Sequence, residues 1–131
     1  MTDQTIKLEQ KINIKFKDQV LLKKCLIHKS FDSINNNEKL EFLGDRVLGL
    51  VLAKALLKIY PLEKEGVIDK KFANLVNKKT CLLIAKKIEL RKYITTGNSY
   101  KGLSRSDDKI ISDGLEALLG AIYLDQGILV V

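Results

Sequence analysis

One proline-free stretch governs what this chain can become. From Glu38 to Tyr60 nothing interrupts a helix, and Pro61, the only proline, ends it. Leu40, Leu43, Val47, Leu50, Val51 and Leu57 include positions spaced by three, four and seven, which lays a broad apolar stripe along that helix. Leu48, Leu52, Leu56 and Ile59 are apolar as well. A helix apolar around most of its circumference predicts the central element of a domain, covered on several sides.

The rest of the chain reads as helical around it. A short helix is expected near residues 4–11. Asp18 is placed to cap a second one over 19–29, with Val20, Leu21, Cys25 and Leu26 on its apolar side. Residues 32–37 form a polar loop ending in asparagines that can cap the long helix. Two further helices are expected over 67–78 and 80–90, a loop over 94–108, and a last helix over 108–125 whose buried side carries Ile110, Ile111, Leu115, Leu118, Leu119 and Ile122. No strand alternation persists, so the fold class is all-α, with six or seven helices. Residues 127–131 are Gly-Ile-Leu-Val-Val. Apolar residues at that point belong in a packed element, so the core is expected to continue beyond this chain.

Composition closes several routes. A length of 131 residues suits one domain. There is no run of about 20 apolar residues to span a bilayer, and no secretory signal between Met1 and Val20. His28 is the only histidine, and Cys25 and Cys81 lie far apart, so soft-ligand zinc chemistry and histidine-rich metal sites are excluded. The cysteines are expected as buried small hydrophobes in a reducing cytoplasm. His28 is expected to orient a loop. Chemistry must therefore come from carboxylates, lysines or hydroxyls. A net charge of +7 hints at a polyanionic partner.

The carboxylates are unevenly placed. Glu38, Glu41 and Asp45 recur at i, i+3 and i+7, within roughly 60° on one helix face. Like charges three apart weaken a helix, and Asp45 follows Gly44, another poor helix former. The last helix repeats the pattern with Asp113, Gly114 and Glu116 inside an apolar run. If the two helices cross, Glu41, Asp45, Asp113 and Glu116 converge. Hard divalent cations compensate such a cluster: Mg²⁺ favours oxygen ligands, keeps several waters, and can activate one against a phosphodiester. Spacing alone leaves a solvated, lysine-paired surface equally open.

Residues 37–48, Asn-Glu-Lys-Leu-Glu-Phe-Leu-Gly-Asp-Arg-Val-Leu, resemble the signature of the ribonuclease III family. The likeness extends to His28-Lys29-Ser30-Phe31 upstream, to Glu65-Gly66, to Asn74-Leu75-Val76, and to the block Ser112–Ala121 with Tyr123-Leu124-Asp125 and Gly127. It runs in order from about residue 6 to 127. The resemblance implies a homodimeric, all-helical nuclease domain that hydrolyses double-stranded RNA with Mg²⁺, or Mn²⁺ in its place. One cut per strand would leave short 3′ overhangs. Carried over, Glu41, Asp45, Asp113 and Glu116 would bind metal, with Asp45 and Glu116 the catalytic pair. Glu38 and Glu65 would line the cleft and assist with RNA or the partner subunit, and Phe42 would insert into that subunit; plain core packing is its other reading. Arg46 stands where many members carry Ser, and Lys70-Lys71-Phe72 replaces an Arg-rich pattern. Residues 1–131 would be the nuclease domain, without the further helix and double-stranded-RNA-binding domain usual in full-length members.

Between residues 70 and 92 lie Lys70, Lys71, Lys78, Lys79, Lys86, Lys87, Arg91 and Lys92, with Glu89 the only acid. The pairs Lys71/Lys78 and Lys79/Lys86, at i+7, would align on helices and could track phosphates; solvated lysine is the plainer reading. Asn98, Lys101 and Arg105 are further candidates for phosphate contact. The expected function is thus a cytoplasmic metal-dependent endoribonuclease of rRNA or mRNA processing, with no membrane and no small-molecule cofactor. Two alternatives stay open: a non-catalytic module binding structured RNA or ribosomal particles, and an all-α metal phosphohydrolase acting on nucleotides.

Overall fold

A computed structural model describes residues 3–97 and 107–131. Six α-helices follow one another: α1 (Asp3–Ile12), α2 (Gln19–Cys25), α3 (Glu38–Ile59), α4 (Glu65–Leu75), α5 (Lys78–Lys87) and α6 (Asp108–Gln126). A 3-10 turn at Leu90–Tyr93 follows α5. The only β pairing among the described residues is an isolated bridge between Ile27 and Thr95. The all-α expectation holds. The expected loop candidates Asn98, Lys101 and Arg105 lie outside the described residues.

Local chemistry sets several boundaries. Asp18 caps α2 as expected, its carboxylate accepting from the amides of Val20 and Leu21 at 3.0 and 3.2 Å. That helix ends at Cys25, earlier than expected, because the chain then turns to pair with residue 95. Thr95 N donates to Leu26 O at 2.8 Å, and His28 N donates to Thr95 O at 2.9 Å. At the start of α3 the two asparagines divide the work. Asn36 Oδ1 accepts from Glu38 N at 3.0 Å, while Asn37 Nδ2 donates to Cys25 O at 3.2 Å. Residues 25–28 are thereby fastened to the N-terminus of α3 and to the strand-like segment at residue 95.

The centre of the domain is α6, not α3. Every residue of α6 from Ile111 to Leu118 is buried. Its most extensive packing is against α3, followed by α5 and α2. The expectation that α3 would be covered on several sides is corrected. Leu40, Val47, Leu48 and Leu56 are buried, but Phe42, Leu50, Leu57 and Ile59 lie exposed along the same helix. Its apolar circumference exceeds what this chain covers. Val131 packs against the core, whereas Leu129 is exposed.

The core gathers Leu8 and Phe16 from the N-terminal region, Leu22 and Cys25 of α2, Leu40 and Leu48 of α3, Cys81 and Ala85 of α5, Leu90, and Ile111, Leu115 and Leu118 of α6. Both cysteines are free and buried, as expected. Burial pushes the Cys25 thiol far above its ordinary range, and burial beside Glu116 and Asp45 pushes Cys81 up to about 11. Neither offers a thiolate at neutral pH.

Candidate active site

The carboxylates meet where α3 crosses α6. The crossing is close because two glycines line it. A β-carbon at Gly44 would collide with the backbone carbonyl of Glu116, and one at Gly120 would collide with that of Leu40. The helix-weakening Gly44 thus has a packing reason: only glycine lets the two backbones touch. At that contact α3 carries Asp45 and α6 carries Glu116, and about one turn before them lie Glu41 and Asp113.

Asp113 and Glu116 are buried, 9% and 7% exposed. Glu41 is half-buried, while Asp45 and Glu38 are exposed. The electrostatics record their proximity. Burial pushes the Glu116 carboxyl up to about 7, helped by a hydrogen bond with Asp45 and by the charges of Asp45, Asp113 and Glu41. Burial likewise raises Glu41, with the Asp113 charge next in weight. Like charges held together in a shielded place bind protons that isolated carboxylates would release.

Two lysines answer part of that charge. Lys78 Nζ reaches from α5 to Asp113 Oδ1 at 3.1 Å, and Lys109 Nζ, one turn back on α6, meets Oδ2 at 2.7 Å. Both oxygens of Asp113 are therefore engaged. As the side chains stand, no three histidines, cysteines or carboxylates among the described residues are arranged to hold a metal ion. The donor set nevertheless fits a hard divalent cation. It consists of carboxylate oxygens only, and burial followed by neighbouring carboxylates raises the proton affinity of Glu41 and Glu116.

A cavity of about 360 Å³ opens beside the crossing, lined by His28, Lys29, Asn37, Glu38, Glu41, Lys109, Ile110 and Asp113. His28 is fixed by its neighbours. Ser30 N donates to His28 Nδ1 at 3.1 Å, and Ser30 Oγ lies 2.7 Å from that nitrogen while accepting from Gly97 N at 2.9 Å. The ring thus ties residues 28–30 to residue 97, as a loop-orienting histidine should. Burial, then the Lys29 charge, holds its pKa below the ordinary value.

Glu65 is not part of this cluster within one chain. It starts α4 and lines a separate hollow with Ala53, Ile68, Asp69 and Phe72. Phe42 points outward at 63% exposure, so the core-packing reading is overturned; Arg46 stacks on its ring at 3.8 Å. The Lys71/Lys78 alignment also fails, because the chain breaks between α4 and α5 and separates them. Lys71 instead sits over the Tyr60 ring at 4.3 Å. Lys79 and Lys86 do share α5 and are exposed. The lysine pair on Asp113 went unseen in the sequence. Lys109, at i−4 from Asp113, carried a signal; Lys78, on another helix, carried none.

This arrangement, with α6 at the centre and α3 crossed over it, is the fold of ribonuclease III nuclease domains. A structure of that domain from Campylobacter jejuni superposes with a TM-score of 0.84 at 38% identity, covering 97% of this chain and 87% of that one. A second, described for structural flexibility in a region involved in dimer formation, gives 0.82 at 40% identity, covering 93% and 86%. Residues 18–131 match the family described as Ribonuclease-III-like. The chain is 65% identical over 128 residues to Ribonuclease 3 of Pelagibacter ubique, covering 98% of this chain and 58% of that protein. It spans about half the length of the curated relatives it matches. The chain belongs to the ribonuclease-III-like family.

Proposed function

We propose that residues 1–131 are the nuclease domain of an endoribonuclease that hydrolyses double-stranded RNA with a divalent cation, Mg²⁺ or Mn²⁺. The observation that carries this is the meeting of Glu41 and Asp45 with Asp113 and Glu116 at the glycine-lined crossing. Those four would hold the cation. When bound, it supplies activation of water and stabilisation of charge on a phosphodiester oxygen.

The chain's own residues have separable tasks. In the cation-free chain the Glu116 carboxyl holds its proton up to about 7, and a cation held there would take the place of that proton and leave a carboxylate ligand. Asp45, in hydrogen-bonding range of Glu116, orients it. Glu38, at the cavity rim, meets the RNA backbone through water or cation. The exposed lysines of α5, Lys79 and Lys86, follow phosphates, since duplex RNA is read mainly through its backbone and 2′-hydroxyls.

The active form is a homodimer. Phe42 and the exposed apolar residues Leu50, Leu57 and Ile59 of α3 supply its interface. Glu65 serves the RNA or the partner subunit from its position apart. Two sites across one duplex give one cut per strand. The setting is the cytoplasm, in rRNA or mRNA processing; no helix among the described residues is long and apolar enough to cross a membrane.

The test uses the purified chain with long duplex RNA and Mg²⁺, against EDTA and an Asp45→Asn variant. Cleavage should occur only in the first. Supporting groups around a metal are worth about 10–100-fold, so loss of a ligand should cost about a hundredfold or more. RNA left equally intact in all three would overturn the reading, and duplex binding without cleavage at saturating Mg²⁺ would replace it with a binding module.

A further inference from the structure

Asp113 is the most completely engaged of the four carboxylates, and its partners come from two different helices. Lys78 Nζ holds Oδ1 and Lys109 Nζ holds Oδ2, at 3.1 and 2.7 Å. The carboxylate is buried, with its side chain 12% exposed, while the lysines are 61% and 74% exposed. The anion is therefore fixed and the cations are on long, solvated stems that can leave at little cost. As the side chains stand, no three candidate ligands among the described residues form a metal cluster. A divalent cation drawn to those oxygens competes with the two ammonium groups for the same negative charge.

We propose that Lys78 and Lys109 are an exchangeable counter-ion pair on Asp113, and that divalent-cation binding and lysine release are one event. The inference rests on the reading of Asp113 as a metal ligand. In the cation-free state both lysines hold the buried charge, and Lys78 ties α5 to α6. On loading, a doubly charged cation takes over the same negative charge, and the ammonium groups return to solvent at the mouth of the cavity. Metal affinity is then set by a competition within the chain, and Lys78 is a positioning residue that acts through Asp113.

Mn²⁺ titration of the whole chain by calorimetry, without RNA, reads this directly. Asp45→Asn tests the metal reading itself: it should lose Mn²⁺ binding that the wild-type chain shows. Lys78→Met tests the exchange. It should tighten Mn²⁺ binding about two- to fivefold, the range an exposed ion pair supports, while Lys78→Arg, which keeps the charge, should not tighten it. In the wild-type chain, acylation of the Lys78 amine, followed by mass spectrometry, should accelerate when Mn²⁺ is added. Equal Mn²⁺ affinity in wild type and Lys78→Met overturns the exchange while leaving the metal site standing, as does an acylation rate indifferent to Mn²⁺. Absence of Mn²⁺ binding in the wild-type chain removes both readings together.

Discussion

Gly44 of α3 lies with its α-carbon directly against the backbone carbonyl of Glu116 on α6, with no room for a side chain between them. The same contact that packs the domain also sets the spacing of the carboxylates. Gly44→Ala would have to push the helices apart, against backbone that cannot swing aside. We expect a loss of about 3 kcal/mol or more, at the upper end of overpacking costs. Thermal or urea unfolding measures it. Gly66, with nothing near its missing β-carbon, is the control: Gly66→Ala should leave stability unchanged or slightly raised.

Glu116 gives the metal-free protein an unusual pH dependence. Its carboxyl is raised from 4.5 to about 7 in the folded chain, by burial first and by Asp45 next. The folded state therefore binds the proton more tightly than the unfolded state. Its contribution is fully present below the unfolded value and is lost as pH rises through about 7. In EDTA the melting temperature should fall between pH 5 and pH 8, and Glu116→Gln should flatten that slope. A melting temperature that rises over the same interval in EDTA would contradict the assignment.

Phe42 offers a separation of stability from assembly. Its ring is mostly solvent-exposed and touches Arg46 of its own helix. Phe42→Ala should change the stability of the isolated chain by no more than about 0.5 kcal/mol. In sedimentation velocity the same variant should shift the chain toward monomer, because aromatic anchors dominate association energies.

Asp125 closes the far end of α6 on the N-terminal region. Its two oxygens accept from the amides of Lys17 and Asp18, each at 2.9 Å, and neighbouring Gln126 Nε2 donates to Lys15 O. Asp125→Ala would strip both acceptors from the turn before α2. A cost of about 1–2 kcal/mol is expected from lost capping-type bonds, read as a lower urea midpoint with an unchanged slope.

Much of the fold was legible from local signals. Pro61 stands two residues past Ile59, the last of α3, and Asp18 caps α2 through the amides a capping aspartate should find. These depend on chemistry within a few residues of each other. The errors fell where distant contacts intervened. The helix expected over 19–29 stops at Cys25 because residues 26–28 bond to residue 95. The alignment of Lys71 with Lys78 was drawn across a break between two helices.

The candidate site divides the same way. Spacing placed Glu41 and Asp45 on one helix face and Asp113 and Glu116 on another, since helical periodicity is a property of the backbone alone. That the two faces meet was decided by tertiary structure, through glycines whose missing side chains allow the backbones to touch. The apolar circumference of α3 was plain in the sequence, but not which part would stay uncovered. Nor could the sequence reveal that Lys78 reaches Asp113 across 35 residues. Pairing of charges is a matter of distance through space, and only the packed chain brings α5 within reach of α6.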